Sequence, residues 1–237
     1  MDRYKILLWF ALFFGATPIF AETVLWLAGD SIIRHYSEAE LPRCGWGQML
    51  NELTKPGVRI ENRGLSGRSL KRFMLDKNWE SLMLGVKKGD FVLISFAHND
   101  QYRNVEKYIA DPAEYAARLK QCISEVRAKE ATPVLVTSVP RYRFKGDNRP
   151  LQTLGEYPDA MRRIATETGT ELIDLNAALT EQLRTLPMHE SSEFYLLKKI
   201  PGKDDREHLT VAGARNAARI AVAEAKKHSL SVAELFR

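Results

Sequence analysis

Cysteine is scarce in this chain, with two residues among 237. Two cysteines cannot build a disulfide framework, and neither their number nor their spacing indicates a metal site. Cys122 falls on the apolar face of a predicted helix, whereas Cys44 lies in a predicted loop before Gly45-Trp46-Gly47. In a sheet that is covered by helices on both faces, these two segments would lie on opposite sides. We therefore predict that no disulfide joins them and that no metal is bound.

The chain also has no long hydrophobic run. Its apolar stretch from Ile6 to Phe14 is shorter than a membrane-spanning helix requires. Basic residues precede this stretch, and Ala21 supplies the small residue that a signal peptidase requires. The pattern predicts a cleaved signal peptide over residues 1–21, with an uncleaved membrane anchor as the alternative. The remaining domain, residues 22–237, is expected to be exported to the periplasm or the medium, without stable membrane insertion.

Repeats and low-complexity tracts are absent as well, and the length suits one sizeable α/β domain rather than two. Short apolar runs predict strands near residues 24–28, 58–61, 91–96, 133–137 and 171–174. Helices are predicted near residues 47–53, 70–75, 112–130, 157–168, 177–186 and 211–227, the last two capped by Asn176 and Thr210. Residues 189–205 are predicted to be irregular. This alternation predicts a single doubly wound domain, in which a five-stranded parallel sheet has helices on both faces.

A serine stands at the end of the first predicted strand, in the turn Gly29-Asp30-Ser31. Open α/β sheets place their ligands and chemistry at the carboxyl ends of the strands. A serine hydroxyl becomes a good nucleophile when a base removes its proton, and a carboxylate improves that base by holding its tautomer. Asp205 and His208 stand three residues apart before the last helix, so one loop could carry both groups.

Acyl chemistry also needs hydrogen-bond donors that point at the developing oxyanion. The backbone N–H groups of Ser31 and Gly64 and the side-chain amide of Asn99 follow three different predicted strands. All three donors would therefore lie at the same edge of the sheet. Asp30 and Asp100 are instead expected to tie loops together through hydrogen bonds to the backbone.

The lipase motif G-x-S-x-G is absent, because Ile32-Ile33 follow Ser31. Four other blocks occur in order, namely Gly29-Asp30-Ser31, Asn62-Arg63-Gly64, Ala97-His98-Asn99-Asp100 and Asp205-Arg206-Glu207-His208. In these blocks the chain resembles the SGNH (GDSL-type) hydrolase superfamily, from about Leu25 to Leu209. The resemblance implies a flavodoxin-like fold, a catalytic triad of Ser31, Asp205 and His208, and an oxyanion hole of Ser31, Gly64 and Asn99. Ala97 departs from the family's usual glycine, and its methyl group could crowd that hole.

The sequences around these blocks look like those of rhamnogalacturonan acetylesterases within the superfamily, at Asn62 to Ser69, Phe96 to Asp100 and Gly45-Trp46-Gly47. This resemblance implies a serine esterase that removes O-acetyl groups from pectic polysaccharide or its oligosaccharides, without a metal or organic cofactor. Pectic backbones are polyanionic, and two basic clusters would suit such a partner. The clusters are Arg63, Arg68, Lys71 and Arg72, and Arg141, Arg143, Lys145 and Arg149. Solvated basic faces would give the same pattern.

Arg68, His98 and Arg141 are the candidate substrate contacts, although His98 could equally pack beside Asn99. A lipid esterase or thioesterase of the lysophospholipase type would share the mechanism but would need a long apolar groove, which the basic loops disfavour. A non-catalytic carbohydrate-binding protein is the third hypothesis, and it is disfavoured because each expected catalytic residue is present. Nucleic acid is not an expected partner of an exported serine hydrolase.

Overall fold

Five parallel strands form the central sheet of the structure, a computed structural model that describes residues 22–101, 111–146 and 149–237. The strands are β1 (Thr23–Gly29), β2 (Val58–Asn62), β3 (Phe91–Ser95), β4 (Thr132–Val136) and β5 (Glu171–Ile173). Their spatial order is β2-β1-β3-β4-β5, and every neighbouring pair is parallel. The predicted five-stranded parallel sheet is thereby confirmed. The predicted signal peptide, residues 1–21, lies outside the described residues.

Two apolar clusters cover the two faces of this sheet. In β3, Val92 and Ile94 belong to one cluster and Leu93 to the other, because successive side chains of a strand point to opposite faces. The eight α-helices of the described ranges are α1 (Trp46–Met49), α2 (Leu70–Leu75), α3 (Asn78–Gly85), α4 (Pro112–Ala128), α5 (Tyr157–Thr168), α6 (Leu175–Thr185), α7 (Met188–Ser191) and α8 (Val211–Lys227). Residues of α2 to α5 fill the cluster around Val92, and residues of α1, α6 and α8 fill the other. The doubly wound architecture is therefore confirmed.

The helix boundaries follow the sequence closely in some places and depart from it in others. Helices α2 and α5 have their predicted bounds, and Thr210 caps α8 by accepting the N–H of Gly213 at 3.1 Å. Asp174, not Asn176, caps α6, because its carboxylate accepts the N–H of Ala177 at 3.2 Å. Helix α3 was not predicted.

The segment predicted to be irregular, residues 189–205, contains ordered structure. After α7 and a 3-10 turn at Ser192–Phe194, strand β6 (Tyr195–Leu197) pairs antiparallel with β7 (Asp205–Leu209). The Tyr195 hydroxyl donates to the carbonyl of Pro140 at 2.9 Å, which ties this hairpin to the loop after β4. The prediction of an irregular segment was therefore wrong, and Asp205 and His208 lie on a strand rather than in a loop.

Both cysteines are free thiols, and they are buried in different apolar clusters. Cys44 and Cys122 therefore lie on opposite sides of the sheet, as the sequence predicted. Within the described ranges, none of the helices has the length and apolar character needed to cross a membrane. The same residues hold no group of three or more His, Cys, Asp or Glu side chains arranged to bind a metal ion.

Candidate active site

Strand β1 leads directly into Ser31 at the carboxyl edge of the sheet. Gly29 ends this strand, and a β-carbon at this position would lie against Ile33 and only 2.7 Å from the carbonyl oxygen of Ser95. The carboxylate of Asp30 then accepts the N–H of Ile32 at 2.9 Å, as predicted for a residue that ties a loop. Glycine is thus required for the close approach of β1 to the end of β3, and the turn that follows brings Ser31 to the sheet edge.

Ser31, His208 and Asp205 form a continuous hydrogen-bonded chain. The His208 Nε2 lies 3.0 Å from Ser31 Oγ, and its Nδ1 lies 2.9 Å from Oδ2 and 3.1 Å from Oδ1 of Asp205. An ionised carboxylate can only accept hydrogen bonds, so the neutral ring would carry its hydrogen on Nδ1 and would present the lone pair of Nε2 to the hydroxyl. This is the geometry that general-base activation of a serine requires.

Asp205 is held in its charged form by several donors. Its Oδ1 accepts the backbone N–H groups of Glu207 and His208 at 3.2 and 2.9 Å, and Arg43 Nη2 lies 3.4 Å from Oδ2. Burial alone would raise the pKa of Asp205, but the hydrogen bonds and charge of His208 outweigh it and hold the pKa well below the usual 3.8. The carboxylate therefore stays ionised throughout the neutral pH range.

A cleft of about 900 Å³ opens above the serine and is lined by polar and charged residues. Its charged residues are Arg43, Arg141, Arg143, Lys203, Asp204, Asp205, Arg206 and Glu207. Three of the cations pair with carboxylates, in Arg43–Asp205, Arg141–Glu207 and Arg206–Asp204. The exposed side chains of Arg143 and Lys203 have no hydrogen-bonding or ionic partner among the described residues. Two of the eight residues in the predicted basic clusters, Arg141 and Arg143, line this cleft.

Gly64 follows β2 and lies against the loop that carries Ser31. A β-carbon on Gly64 would lie 2.8 Å from the Ile33 side chain, so glycine permits this contact. The Asn62 amide donates to the carbonyl of Ile33 at 2.7 Å, and its oxygen accepts the Gly64 N–H at 3.0 Å. Asn62 therefore fixes the two loops together, and the Gly64 N–H already has one partner before any substrate binds.

Asn99 follows β3 and lines the cleft. Its amide nitrogen lies 3.4 Å from the Arg68 carbonyl oxygen, and because this nitrogen carries two hydrogens, one remains for a substrate oxygen. Ala97 is 1% exposed and belongs to the apolar cluster around Val92. Its methyl group is thus packed in the core, and Ala97 is not among the residues that line the cleft.

The three predicted substrate contacts have different surroundings. Arg141 lines the cleft. His98 is 0% exposed, so its prediction as a sugar contact is wrong, and its Nε2 instead lies 2.8 Å from the Val139 carbonyl oxygen. Arg68 is not among the residues that line the cleft; its Nε lies 3.2 Å from Oδ2 of Asp76.

Glu207 is a residue of the site to which the sequence assigned no role. Its carboxylate lies 3.1 Å from His98 Nδ1 and accepts a hydrogen bond from Arg141 Nε at 2.8 Å. Burial opposes ionisation, but His98 and Arg141 together hold the pKa of Glu207 well below the usual 4.5. Its position next to His208 was visible in the sequence, but its partners are distant in the chain and could not be found without the fold.

Asp30 and Asp100 are buried carboxyl groups beneath the site. Asp100 accepts the N–H of Leu70 at 2.9 Å, so it ties two loops as predicted. Burial raises the pKa of both carboxyl groups, and the proximity of Asp30 adds to the shift at Asp100. Their environment suits a structural role rather than proton transfer with a substrate in the cleft.

Comparison with protein families matches residues 27–215 to the GDSL-like Lipase/Acylhydrolase family. The chain is 34% identical over 204 residues to the rhamnogalacturonan acetylesterase RhgT of Bacillus subtilis (strain 168), an alignment that covers 83% of this chain and 86% of RhgT. It is 30% identical over 137 residues to an acetylxylan esterase of Geobacillus stearothermophilus, covering 55% of this chain and 60% of that protein.

Solved structures with the same fold were found as well. The crystal structure of YxiM from Bacillus subtilis matches with a TM-score of 0.79 at 25% identity, covering 89% of this chain. This chain spans 58% of the YxiM chain. Axe2, an acetylxylan esterase from Geobacillus stearothermophilus, matches with a TM-score of 0.64 at 23% identity, covering 86% of this chain and 94% of Axe2. Both likenesses agree with the doubly wound sheet described above.

Proposed function

Because the chain belongs to the GDSL-like lipase/acylhydrolase family and is a carboxylic ester hydrolase, we propose that it removes O-acetyl groups from plant cell-wall polysaccharide, with pectic rhamnogalacturonan as its substrate. The observation that carries the proposal is the hydrogen-bonded chain from Asp205 through His208 to Ser31. The relatives RhgT and the acetylxylan esterase support an acetyl group on a carbohydrate as the target.

In the proposed mechanism, Ser31 Oγ attacks the acetyl carbonyl carbon while His208 Nε2 takes the hydroxyl proton. Asp205 keeps the imidazole in the required tautomer and stabilises it when it becomes charged. The Ser31 N–H and the Asn99 amide would donate to the oxyanion, and the Gly64 N–H would do so while sharing its one hydrogen with the Asn62 amide oxygen. His208 then returns the proton to the sugar oxygen, which leaves as an alcohol. Water finally attacks the acetyl-enzyme, with His208 again acting as the base, and acetate is released.

The character of the cleft favours a short acyl group on a polar carrier over a lipid. Among the described residues that line it, none is a large aliphatic or aromatic side chain. A long acyl chain would gain little there, because its binding depends on burying apolar surface. We therefore expect hydrolysis of aryl esters to be fastest with acetate and to fall steeply towards octanoate. A maximum at octanoate would favour the alternative of a lipid esterase or thioesterase.

The pectic assignment is supported by two cations of the cleft that have no ionic partner among the described residues. Arg143 and Lys203 are exposed on the cleft wall, where they would attract the carboxylates of an acidic polysaccharide. Acetylated xylan, whose backbone is neutral, would not engage them in this way. The charge of the cleft therefore supports an acidic rather than a neutral polysaccharide among the two carbohydrate classes named for the relatives.

The direct test is to measure acetate release by the mature protein from acetylated rhamnogalacturonan, with acetylated xylan and the Ser31→Ala variant in parallel. We expect release from the pectic polymer and none with Ser31→Ala, because the hydroxyl is the proposed nucleophile. Release from xylan alone would contradict the pectic assignment and keep the esterase chemistry. Turnover by a correctly folded Ser31→Ala variant would overturn the mechanism.

We also propose that the enzyme is exported after cleavage behind Ala21, on the basis of the basic start and the short apolar run of the N-terminus. An acetylated wall polymer is too large to enter a cell, so its esterase needs to reach it outside the cytoplasm. To test this proposal, the full chain is expressed, the protein is recovered from the periplasm and from the medium, and its N-terminal residue is determined. The recovered protein should begin at Glu22, and retention of an intact N-terminus in the cytoplasm would contradict export.

A further inference from the structure

His98 is a buried histidine for which the proposed reaction has no direct use. Its Nε2 lies 2.8 Å from the Val139 carbonyl oxygen, and its Nδ1 lies 3.1 Å from Oε1 of Glu207. His98 is 0% exposed, so its ring is enclosed between the loop after β4, which carries Val139, and Glu207 on β7. Both ring nitrogens therefore lie against acceptors whose positions are fixed by other segments of the fold.

Glu207 is shared between this histidine and an arginine. Its Oε2 accepts from Arg141 Nε at 2.8 Å, and Arg141 also donates to the carbonyls of Thr153 at 2.9 Å and His98 at 3.4 Å. The side chains of Arg141 and Glu207 are only 13% and 19% exposed, so water and salt screen the pair weakly. Removing one partner would leave an uncompensated charge, which gives the cluster one strongly preferred arrangement.

The three members of this cluster come from three segments of the active-site edge. His98 follows β3 and directly precedes Asn99, whereas Arg141 lies in the loop after β4. Glu207 lies on β7 and directly precedes His208. Any displacement of the His98 or Glu207 side chain therefore acts on the backbone next to the proposed oxyanion donor or next to the base.

We propose that the cluster of His98, Glu207 and Arg141 is a positioning device that sets the separation of Asn99 and His208 across the bound ester. The inference rests on the roles given to these two residues in the proposed function. The cluster acts through Asn99 and His208 rather than on the reacting atoms, so its members are positioning residues. Misplacing a reacting group by 1 Å can lower the rate by about a hundredfold, which makes such a device worthwhile.

The test uses Glu207→Gln and His98→Asn, singly and together, with kcat and KM measured on 4-nitrophenyl acetate. We expect each variant to lower kcat by about tenfold to a hundredfold, while KM changes by less than about twofold, because ground-state binding of so small an ester needs little alignment. The double variant should be no slower than the slower of the two single variants. Both substitutions break the same link, so their effects should not add.

Asp90→Asn is the matched control, because Asp90 is a buried carboxylate at the opposite end of the sheet. It accepts the Val24 N–H at 3.1 Å and the Trp26 indole N–H at 3.0 Å, just before β3. This variant should lower the Tm and leave kcat unchanged. If Glu207→Gln and His98→Asn likewise lower the Tm but leave kcat unchanged, the cluster is merely structural and the proposal is overturned.

Two further variants distinguish a failure of the proposed function from a failure of the positioning role. Ser31→Ala tests the proposed function itself: an inactive Ser31→Ala beside fully active cluster variants would reject the positioning role alone. Should Glu207→Gln not fold, Arg141→Lys keeps the positive charge but loses the planar, forked donors that reach Glu207 and two carbonyls. It should still lower kcat with KM nearly constant, and an unchanged kcat would overturn the proposal.

Discussion

At the scale of single residues, Asn99 offers a direct test of how the oxyanion would be stabilised. Asn99→Ala should lower kcat for an aryl acetate about a hundredfold to a thousandfold, the usual effect of losing one oxyanion donor. The N–H groups of Ser31 and Gly64 would remain and account for the residual activity. Steady-state kinetics and a measurement of the Tm test this prediction. The control is Asn51→Ala, because Asn51 has an exposed side-chain amide on the 3-10 turn after α1. A loss below about threefold would place the Asn99 amide outside the oxyanion hole.

Asp205 gives a second prediction at this scale, for stability against pH. Its pKa is lower in the folded protein than the usual 3.8, so the folded state binds fewer protons than the unfolded chain. The resulting stabilisation is present in full above the unfolded pKa, begins to decline as the pH falls below it, and is lost completely only below the folded pKa. Asp205→Asn should therefore lower the free energy of unfolding at pH 7 by about 1–3 kcal/mol, with a difference that shrinks towards pH 3.

Urea unfolding followed by circular dichroism at pH 7, 5 and 3 measures this difference. Asp204→Asn is the matched control, because Asp204 is the preceding residue but is 45% exposed and pairs only with Arg206 among the described residues. Exposed pairs contribute at most about 1 kcal/mol, so its effect should be small. A loss of stability that stays constant from pH 7 to pH 3 for Asp205→Asn would contradict the assigned shift.

Single residues also show where sequence reasoning succeeds. Ser31 and Asn99 each follow a recognisable strand, so the parallel topology predicts that they meet at one edge, and the segment before the last helix was expected to bring His208 there. The geometry of Ser31 and His208 agrees with that expectation. The contact of His98 with Glu207 could not be predicted in this way, because a buried polar contact depends on the exact depth and direction of two side chains.

At the scale of elements, the junction between the hairpin and α8 is a tightly constrained contact. A β-carbon on Gly213 would overlap the carbonyl group of Phe194, the residue directly before β6. Gly213→Ala would favour an isolated helix, yet here it should destabilise the protein by about 1–3 kcal/mol, because the helix and the hairpin must move apart. The hairpin carries Asp205 and His208, so kcat should fall as well.

Ala212→Gly is the complementary change in the same turn of α8. Ala212 is exposed, so glycine there should cost up to about 1 kcal/mol of helix propensity without moving the hairpin, and kcat should be unchanged. Urea unfolding and aryl acetate kinetics on both variants provide the comparison. Equal stability of Gly213→Ala and the unaltered protein would show that the junction relaxes without strain.

Some predicted elements have a long periodic pattern of apolar residues in the sequence, whereas the missed strand β6 is too short to show one. Helices α5 and α8 are long and amphipathic, and their sequences specify them almost to the residue. Strand β6 has three residues, its Leu197 has a φ of 41°, and the link to β7 is irregular in register. Such a strand exists because of its partner and the Tyr195–Pro140 hydrogen bond, so local periodicity could not predict it.

At the scale of the whole molecule, the apolar clusters that stabilise the fold are separate from the cleft that contains Ser31. The apolar clusters lie on the two faces of the sheet, whereas the cleft lies at its carboxyl edge and is lined by charged loops. The sequence predicted this division, but only Arg141 and Arg143 of its two basic clusters line the cleft. Lys71 pairs with Glu114 and Arg72 with Asp76, whereas Lys203, from neither predicted basic cluster, lines the cleft.

This placement of charge predicts how the enzyme responds to salt. Replacing Arg143 and Lys203 together by Gln should raise KM for acetylated rhamnogalacturonan by about tenfold or more, because the cleft would no longer concentrate an acidic chain. Turnover of 4-nitrophenyl acetate, which is neutral, should be unchanged. Raising the salt from about 0.01 to 0.15 M shortens the Debye length from about 30 to 8 Å, so it should raise KM for the polymer in the unaltered enzyme and hardly affect the double variant.

The control for this prediction removes the same charge from the opposite edge of the sheet. Lys55 and Lys87 are exposed shortly before β2 and β3, so their joint replacement by Gln changes the net charge equally but leaves the cleft intact. If net charge attracted the polymer, both double variants would raise KM alike. If the cleft selects it, only the Arg143 and Lys203 variant should do so. An unchanged KM and salt response in that variant would remove the electrostatic basis for a pectic substrate, while the esterase chemistry of Ser31 would be unaffected.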